Sequence, residues 1–194
     1  RGATGLMTGA GEPSASINMV RKQANSVDWT GYADVQYGSW DTLRATADIG
    51  GAISADGRVR FRGVARYEQG ENFIDVYENE KTVLYGTVEA DLTPDTEVRA
   101  GYSHQIHRPS GVAWGALPTY DTNGDFVDFD RSQTTSAPWT HWNSDNSNLF
   151  ISGEHDFGNG WRAQVHYNFV RNKQQATLLY FSGFVDADNG TIAS

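Results

Sequence analysis

Residues 58–68 read Arg58-Val59-Arg60-Phe61-Arg62-Gly63-Val64-Ala65-Arg66-Tyr67-Glu68. Side chains on a strand repeat every two residues, so Val59, Phe61, Ala65 and Tyr67 fall on one face. Arg58, Arg60, Arg62, Arg66 and Glu68 fall on the other. The first face suits lipid or a core; the second needs water or counter-charges.

The same alternation recurs on both sides of this stretch. A strand over Thr30–Gly38 sets Ala33, Val35 and Tyr37 against Tyr32, Asp34 and Gln36, and one over Thr42–Ala52 sets Leu43, Ala45, Ala47 and Ile49 against Arg44, Thr46 and Asp48. Ser54-Ala55-Asp56-Gly57 joins the second to the third, which is extended to Gly70, through the Asp-Gly pair of a tight hairpin. A polar link, 74–80, leads to a fourth strand with Leu84, Val88, Ala90 and Leu92 opposite Tyr85, Thr87, Glu89 and Asp91. Thr93-Pro94-Asp95-Thr96 is a second tight turn into a fifth strand, Glu97–His107. After a connection of about forty residues, far beyond ordinary loop length, come a sixth strand, Asn148–Phe157, a turn at Gly158-Asn159-Gly160, and a seventh from Trp161, with an eighth starting near Ala176.

Twenty-one Gly and 24 aromatic residues in 194 describe an all-β chain with many turns. The net charge of −9 argues against a nucleic-acid partner, which needs accessible clustered Lys and Arg. The absence of cysteine removes disulfides and thiolate metal sites. No apolar run is long enough for a transmembrane helix, but a membrane barrel crosses on strands of about ten residues with only a weak alternating signal. Turns after strands two, four and six are tight, whereas the opposite end carries the long connections, an asymmetry of membrane barrels. Mid-strand Ala, Gly, Val and Leu, with Tyr67, Tyr167, Phe169, Trp161 and Trp40 towards strand ends, match an apolar band with aromatic girdles. The expected architecture is therefore a partial transmembrane antiparallel β-barrel of seven or eight strands. The alternative is a soluble β-sandwich that binds a ligand, such as a carbohydrate, on the same Trp and Tyr residues.

Arg1-Gly2-Ala3-Thr4-Gly5-Leu6, Gly9, Gly11, Pro13-Ser14, Ile17-Asn18 and Val20-Arg21-Lys22 meet every fixed position of a run that closes the plug domain of TonB-dependent siderophore receptors. Gly38-Ser39-Trp40-Asp41, Val83-Leu84-Tyr85-Gly86, Trp114-Gly115, Leu117-Pro118, Phe129-Asp130-Arg131-Ser132 and Ala137-Pro138-Trp139 extend the resemblance towards the ferrioxamine, coprogen and pyoverdine receptors. It implies the end of a plug over residues 1–26 and the amino-terminal part of an outer-membrane barrel over 27–194. It also implies a Gram-negative outer-membrane location, a ferric siderophore as ligand, and TonB as a partner acting through a segment that is absent here. Both ends read as cuts, with about two thirds of a 22-stranded barrel lying beyond them. A general porin has no counterpart of residues 1–22.

The long connection, 108–146, carries Trp114, Tyr120, Trp139 and Trp142. The resemblance implies that these four line the mouth and meet the organic shell of the chelate; otherwise they fold the connection onto itself. Asp121, Asn123, Asp125, Asp128 and Asp130 lack the glycine and terminal Glu of a calcium loop, and Asn123-Gly124 fits a hairpin turn better. His104 and His107 fall on opposite faces of their strand. No metal site, cofactor or catalytic set is expected, since iron would arrive already wrapped in its chelator. The arginine row, facing Glu89, Asp91 and Asp48, is expected to be an ion-pair lining that holds wall to plug.

Overall fold

The computed structural model describes residues 20–192, so the motif at 1–22 lies, up to residue 19, outside the described residues. Seven strands form one antiparallel sheet in chain order: β1 (Thr30–Tyr37), β2 (Leu43–Ala52), β3 (Val59–Glu71), β4 (Glu78–Thr93), β5 (Thr96–His107), β6 (His141–Asp156) and β7 (Arg162–Thr177). The register keeps parity across the sheet. Tyr32, Asp48, Val64, Tyr85, Ser103, Asn148 and Val170 make one cross-sheet row on the face that carries Arg60 and Arg62. Gly31, Ile49, Gly63, Gly86, Tyr102, Leu149 and Phe169 make a row on the other face.

The burial is inverted relative to a water-soluble domain. Polar Glu89 and Thr87 are 1% exposed, while Val35 is 73% and Val165 69% exposed. Among the described residues no second layer covers the Val59–Phe61–Tyr67 face, which a sandwich would require. An open apolar face of this extent suits hydrocarbon. On it, the Phe61 ring lies across Gly63, where an added Cβ would sit 2.8 Å from Phe61 Cζ, so the glycine gives the aromatic room to cover the sheet.

Three strands are longer than the alternation predicts. β6 begins at His141 rather than Asn148, β4 takes in Glu78–Glu80 from the expected link, and β7 runs on to Thr177, absorbing the start expected for an eighth strand at Ala176. At 3.3 Å per residue, a 16-residue strand spans about 50 Å, more than a tilted crossing of the hydrocarbon needs. The overrun is mostly polar on both faces, so the alternation that marks a membrane strand stops before the hydrogen bonding does. The connection after β5 is correspondingly shorter than forty residues, and Trp142 is a strand residue rather than a loop residue. Trp161 and Trp40 sit beside turns as expected, whereas Tyr167 and Phe169 fall mid-strand because β7 is long.

Candidate functional site

Gln23–Asp28 reads in the sequence as a small polar linker; in the structure its first residues, together with Arg21 and Lys22, cross the charged face as a strap, 21–26. Ala24 is 3% exposed. Its N–H donates to Glu89 Oε1 at 2.8 Å, and its carbonyl accepts from Arg60 Nε at 3.0 Å. The Gln23 carbonyl accepts from Arg62 at 3.3 Å, and the Lys22 carbonyl accepts from the Tyr85 hydroxyl at 2.5 Å. Lys22 Nζ meets Asp48 at 2.5 Å. That hydrogen bond, with the charge of Asp48, raises the Lys22 pKa despite some desolvation. Upstream, the Arg21 guanidinium lies 4.6 Å over the Phe150 ring and donates to Asn168 at 3.1 Å.

The strap is held by a wall whose charges are already paired. Arg62 binds Asp48 through two contacts of 2.9 and 2.8 Å, and Arg60 binds Asp91 through two of 2.5 and 2.9 Å. Arg44 and Arg66 share Glu68 at 2.8 and 2.7 Å. Arg99 Nε lies 2.7 Å from Glu89 Oε1, close enough for charge pairing but off the line of a hydrogen bond. The expected ion-pair lining is present, with Arg62 on Asp48 and Arg60 on Asp91, and Lys22 of the strap joins Asp48 as well. Side by side in register, such pairs fix strand to strand; their charges left unpaired away from water would be costly.

At the end that carries the long connections, the β5–β6 segment folds against its neighbours. Glu78 and Ser110 exchange backbone hydrogen bonds of 3.1 and 3.0 Å, and the Gly111 N–H donates to Thr140 O at 2.9 Å. Gly111 has φ +64°, and a Cβ there would stand 1.9 Å from Val76 O, so only glycine fits. Fully buried Thr140 donates its hydroxyl to Val112 O at 2.9 Å and Ala137 O at 2.8 Å.

This folding brings two of the four expected site residues together. Trp114 and Trp142 pack with ring centroids 5.3 Å apart at 55°. Trp142 shares its face of β6 with Ser144 and Asn146, the lumenal side by register, and its Nε1 donates to Gln174 Oε1 at 3.4 Å. Tyr120 is placed elsewhere, edge-on to Phe126 at 6.4 Å in a small hairpin. There Asp121 Oδ1 accepts from the N–H groups of Asn123 and Asp125 at 2.9 and 2.8 Å, and Gly124 has φ +86°, the hairpin expected from Asn123-Gly124. Trp139 is exposed just before β6, its carbonyl 3.2 Å from His141 Nδ1. Gln174 and Tyr180, which abuts Gly115, are further residues at this end. Gln174 is one polar residue among many in its strand, and Tyr180 follows the last strand without a pattern, so neither stands out in the sequence.

The chain is similar to the ferripyoverdine receptor of Pseudomonas aeruginosa, 38% identical over 179 residues, and to the ferric-pyoverdine 358 receptor of Pseudomonas putida, 35% identical over 182. These alignments cover 92% and 94% of the chain, which spans 22% of the length of each of these curated relatives. No protein-family model matches it. The crystal structure of the P. aeruginosa receptor bound to ferripyoverdine superposes on 99% of the chain, and 26% of its own, with a TM-score of 0.88 at 36% identity. The alcaligin outer-membrane receptor of Bordetella pertussis superposes on 92% of the chain, and 26% of its own, at a TM-score of 0.68 and 31% identity. With a single-layered sheet apolar on one face and ion-paired on the other, the chain matches a seven-stranded part of the barrel wall of these outer-membrane siderophore receptors.

Proposed function

We propose that the protein carrying this chain captures a ferric siderophore at the outer surface and passes it inward when TonB remodels the plug. In this reading residues 1–26 end the plug, and the strap 21–26 is its junction with the wall. The observation that carries the reading is the Trp114–Trp142 pair, set at the long-connection end on the lumenal side of a polar wall. Rigid rings lose little entropy on contact and suit the partly apolar shell of a chelate. Trp139 and Tyr120 are assigned to the same mouth as peripheral contacts.

The test uses the intact receptor with ferripyoverdine, the chelate named for the relatives, as probe. Trp114→Ala is expected to weaken binding by about thirtyfold, the scale of an aromatic hot spot. Affinity within twofold of the wild type would remove Trp114 from the site. Trp142→Ala should act in the same direction, because Trp114 loses its neighbour.

A further inference from the structure

Beyond the apolar band, the membrane-facing side of β5–β7 turns cationic. On β7, Ala163, Val165, Tyr167 and Phe169 share this face, and the next two residues of the same parity are Arg171 and Lys173. Arg171 therefore stands about 7 Å further along the strand than Phe169. Arg171 and Lys173 are exposed and form no ion pair or hydrogen bond among the described residues. Opposite them in register stand Ser147 and Asp145, and Asp145 is already held by Arg108 at 2.6 Å. Ser147 Oγ lies 2.8 Å from His104 Nδ1 and accepts from the Tyr102 hydroxyl at 3.1 Å. On β6 and β7 the two cations Arg171 and Lys173 thus face one carboxylate, Asp145, which Arg108 already holds, while Glu80 stands beside Arg108 on the neighbouring strand, in a chain whose net charge is −9.

A second feature leads to the same place. Ala47, Gly63, Ala65 and Gly86 are adjacent small residues on β2, β3 and β4, and they floor an open apolar furrow of about 530 Å³ on this face. Its far wall is Tyr102 and His104, whose rings stack at 6.3 Å. Polar and apolar features are thus contiguous: a trough floored by small residues and lined also by Ile49 and Leu84 ends at a hydrogen-bonding rim, next to unpaired cations.

We infer that this surface binds a phosphorylated lipid of the outer leaflet, with an acyl chain in the Ala47–Gly86 furrow and the phosphate at Arg171, Lys173 and the His104–Ser147 rim. Charge complementarity selects an anionic headgroup over a zwitterionic one, because each Lys or Arg at a membrane surface adds an attraction of its own for anionic lipid. Arg contributes a fork matched to phosphate oxygens, and Lys a point charge. The inference depends on the membrane placement, not on the ligand of the lumenal site.

The test is lipid retention by the intact receptor, read by native mass spectrometry from dodecyl maltoside micelles doped equally with phosphatidic acid and phosphatidylcholine. The wild type is expected to retain phosphatidic acid in preference. Arg171→Gln with Lys173→Gln should weaken that retention about thirtyfold, the effect of two surface cations. Arg162→Gln, at the opposite end of β7 on the lumenal face, should leave it unchanged, and Arg171→Lys should largely preserve it. Undiminished phosphatidic acid on the double variant overturns the inference, as does equal loss of both lipids. Displacement by millimolar inorganic phosphate would make this a free-anion site and overturn it too. Ferripyoverdine binding, measured on the same samples, separates the two readings: a wild type that retains the lipid but does not bind the chelate would count against the proposed function alone.

Discussion

The backbone N–H of Ala24 donates to the carboxylate of Glu89 at 2.8 Å, joining a segment before the first strand to the middle of the fourth. Both residues are almost wholly buried, and the same Glu89 oxygen lies 2.7 Å from Arg99 Nε. One side chain therefore accepts from the strap and neutralises the wall. A hydrogen bond to a charged acceptor contributes about 1.5–3 kcal/mol. Glu89→Gln in the intact receptor is thus expected to speed hydrogen exchange at the Ala24 amide by about tenfold to a hundredfold, read by mass spectrometry of the 20–30 peptide. An unaltered rate would show that Arg60 and the Gln23 carbonyl contact hold the strap without it.

Asp48 is shared between Arg62 on the adjacent strand and Lys22 on the strap. Asp48→Asn is expected to destabilise the intact receptor by about 3 kcal/mol, since it leaves Arg62 without its partner in a part-buried setting. A double-mutant cycle of Asp48→Asn with Arg62→Met should give a coupling energy above about 1 kcal/mol in denaturant unfolding. Additive effects would mean the two contacts are replaced by water.

Gly101 makes room for Phe150, its register partner on the lumenal face. A Cβ at Gly101 would stand 2.3 Å from Phe150 Cζ and 2.8 Å from Gly86 O, so the ring must leave its stack with Tyr85 and its place beneath Arg21. Gly101→Ala should cost about 1–3 kcal/mol, the range for overpacking. Gly86→Ala, whose Cβ meets only Phe61 at 3.9 Å, should be near neutral. Equal melting temperatures for the two variants would contradict the packing argument.

In the β2–β3 turn the Ser54 hydroxyl and the Arg58 N–H both donate to Asp56 Oδ1, at 2.6 and 3.2 Å. The Ser54 bond first, then the Arg58 N–H, hold the Asp56 carboxyl below its ordinary 3.8. A folded-state pKa lower than the unfolded one means the stabilisation is complete above about 3.8 and is lost as pH falls through the lower value. An NMR pH titration of the Asp56 carboxyl should give a midpoint below 3.8; a midpoint at or above it would show the turn open in solution.

The arrangement of strands is legible wherever one face meets hydrocarbon. Arg60 and Arg62 against Phe61 announce β3 without any help from structure, and Asp56-Gly57 and Pro94-Asp95 mark their turns. What stays hidden lies outside the membrane. Asn143, Ser144, Asp145 and Asn146 are polar on both sides, so nothing in their order separates strand from loop. Ala24 is illegible for a different reason: a lone alanine between glutamine and asparagine carries no period, and its burial follows from hydrogen bonds to its backbone. Of the four aromatic residues proposed for the site, Trp114 and Trp142 are brought together by Gly111 and Thr140, whose roles depend on contacts across the fold, and Tyr120 is drawn off by its own hairpin.

The two borders of the sheet are unequal: β1 has 8 residues and β7 has 16. Half of each border's amide and carbonyl groups point away from the sheet, and inside hydrocarbon none of them can be left to water. Zipping one border onto the other would leave a long stretch of β7 unmatched, so β1 alone cannot satisfy it. Any variant that weakens a border should be felt first as a leak between neighbouring strands there, well before the interior pairs give way.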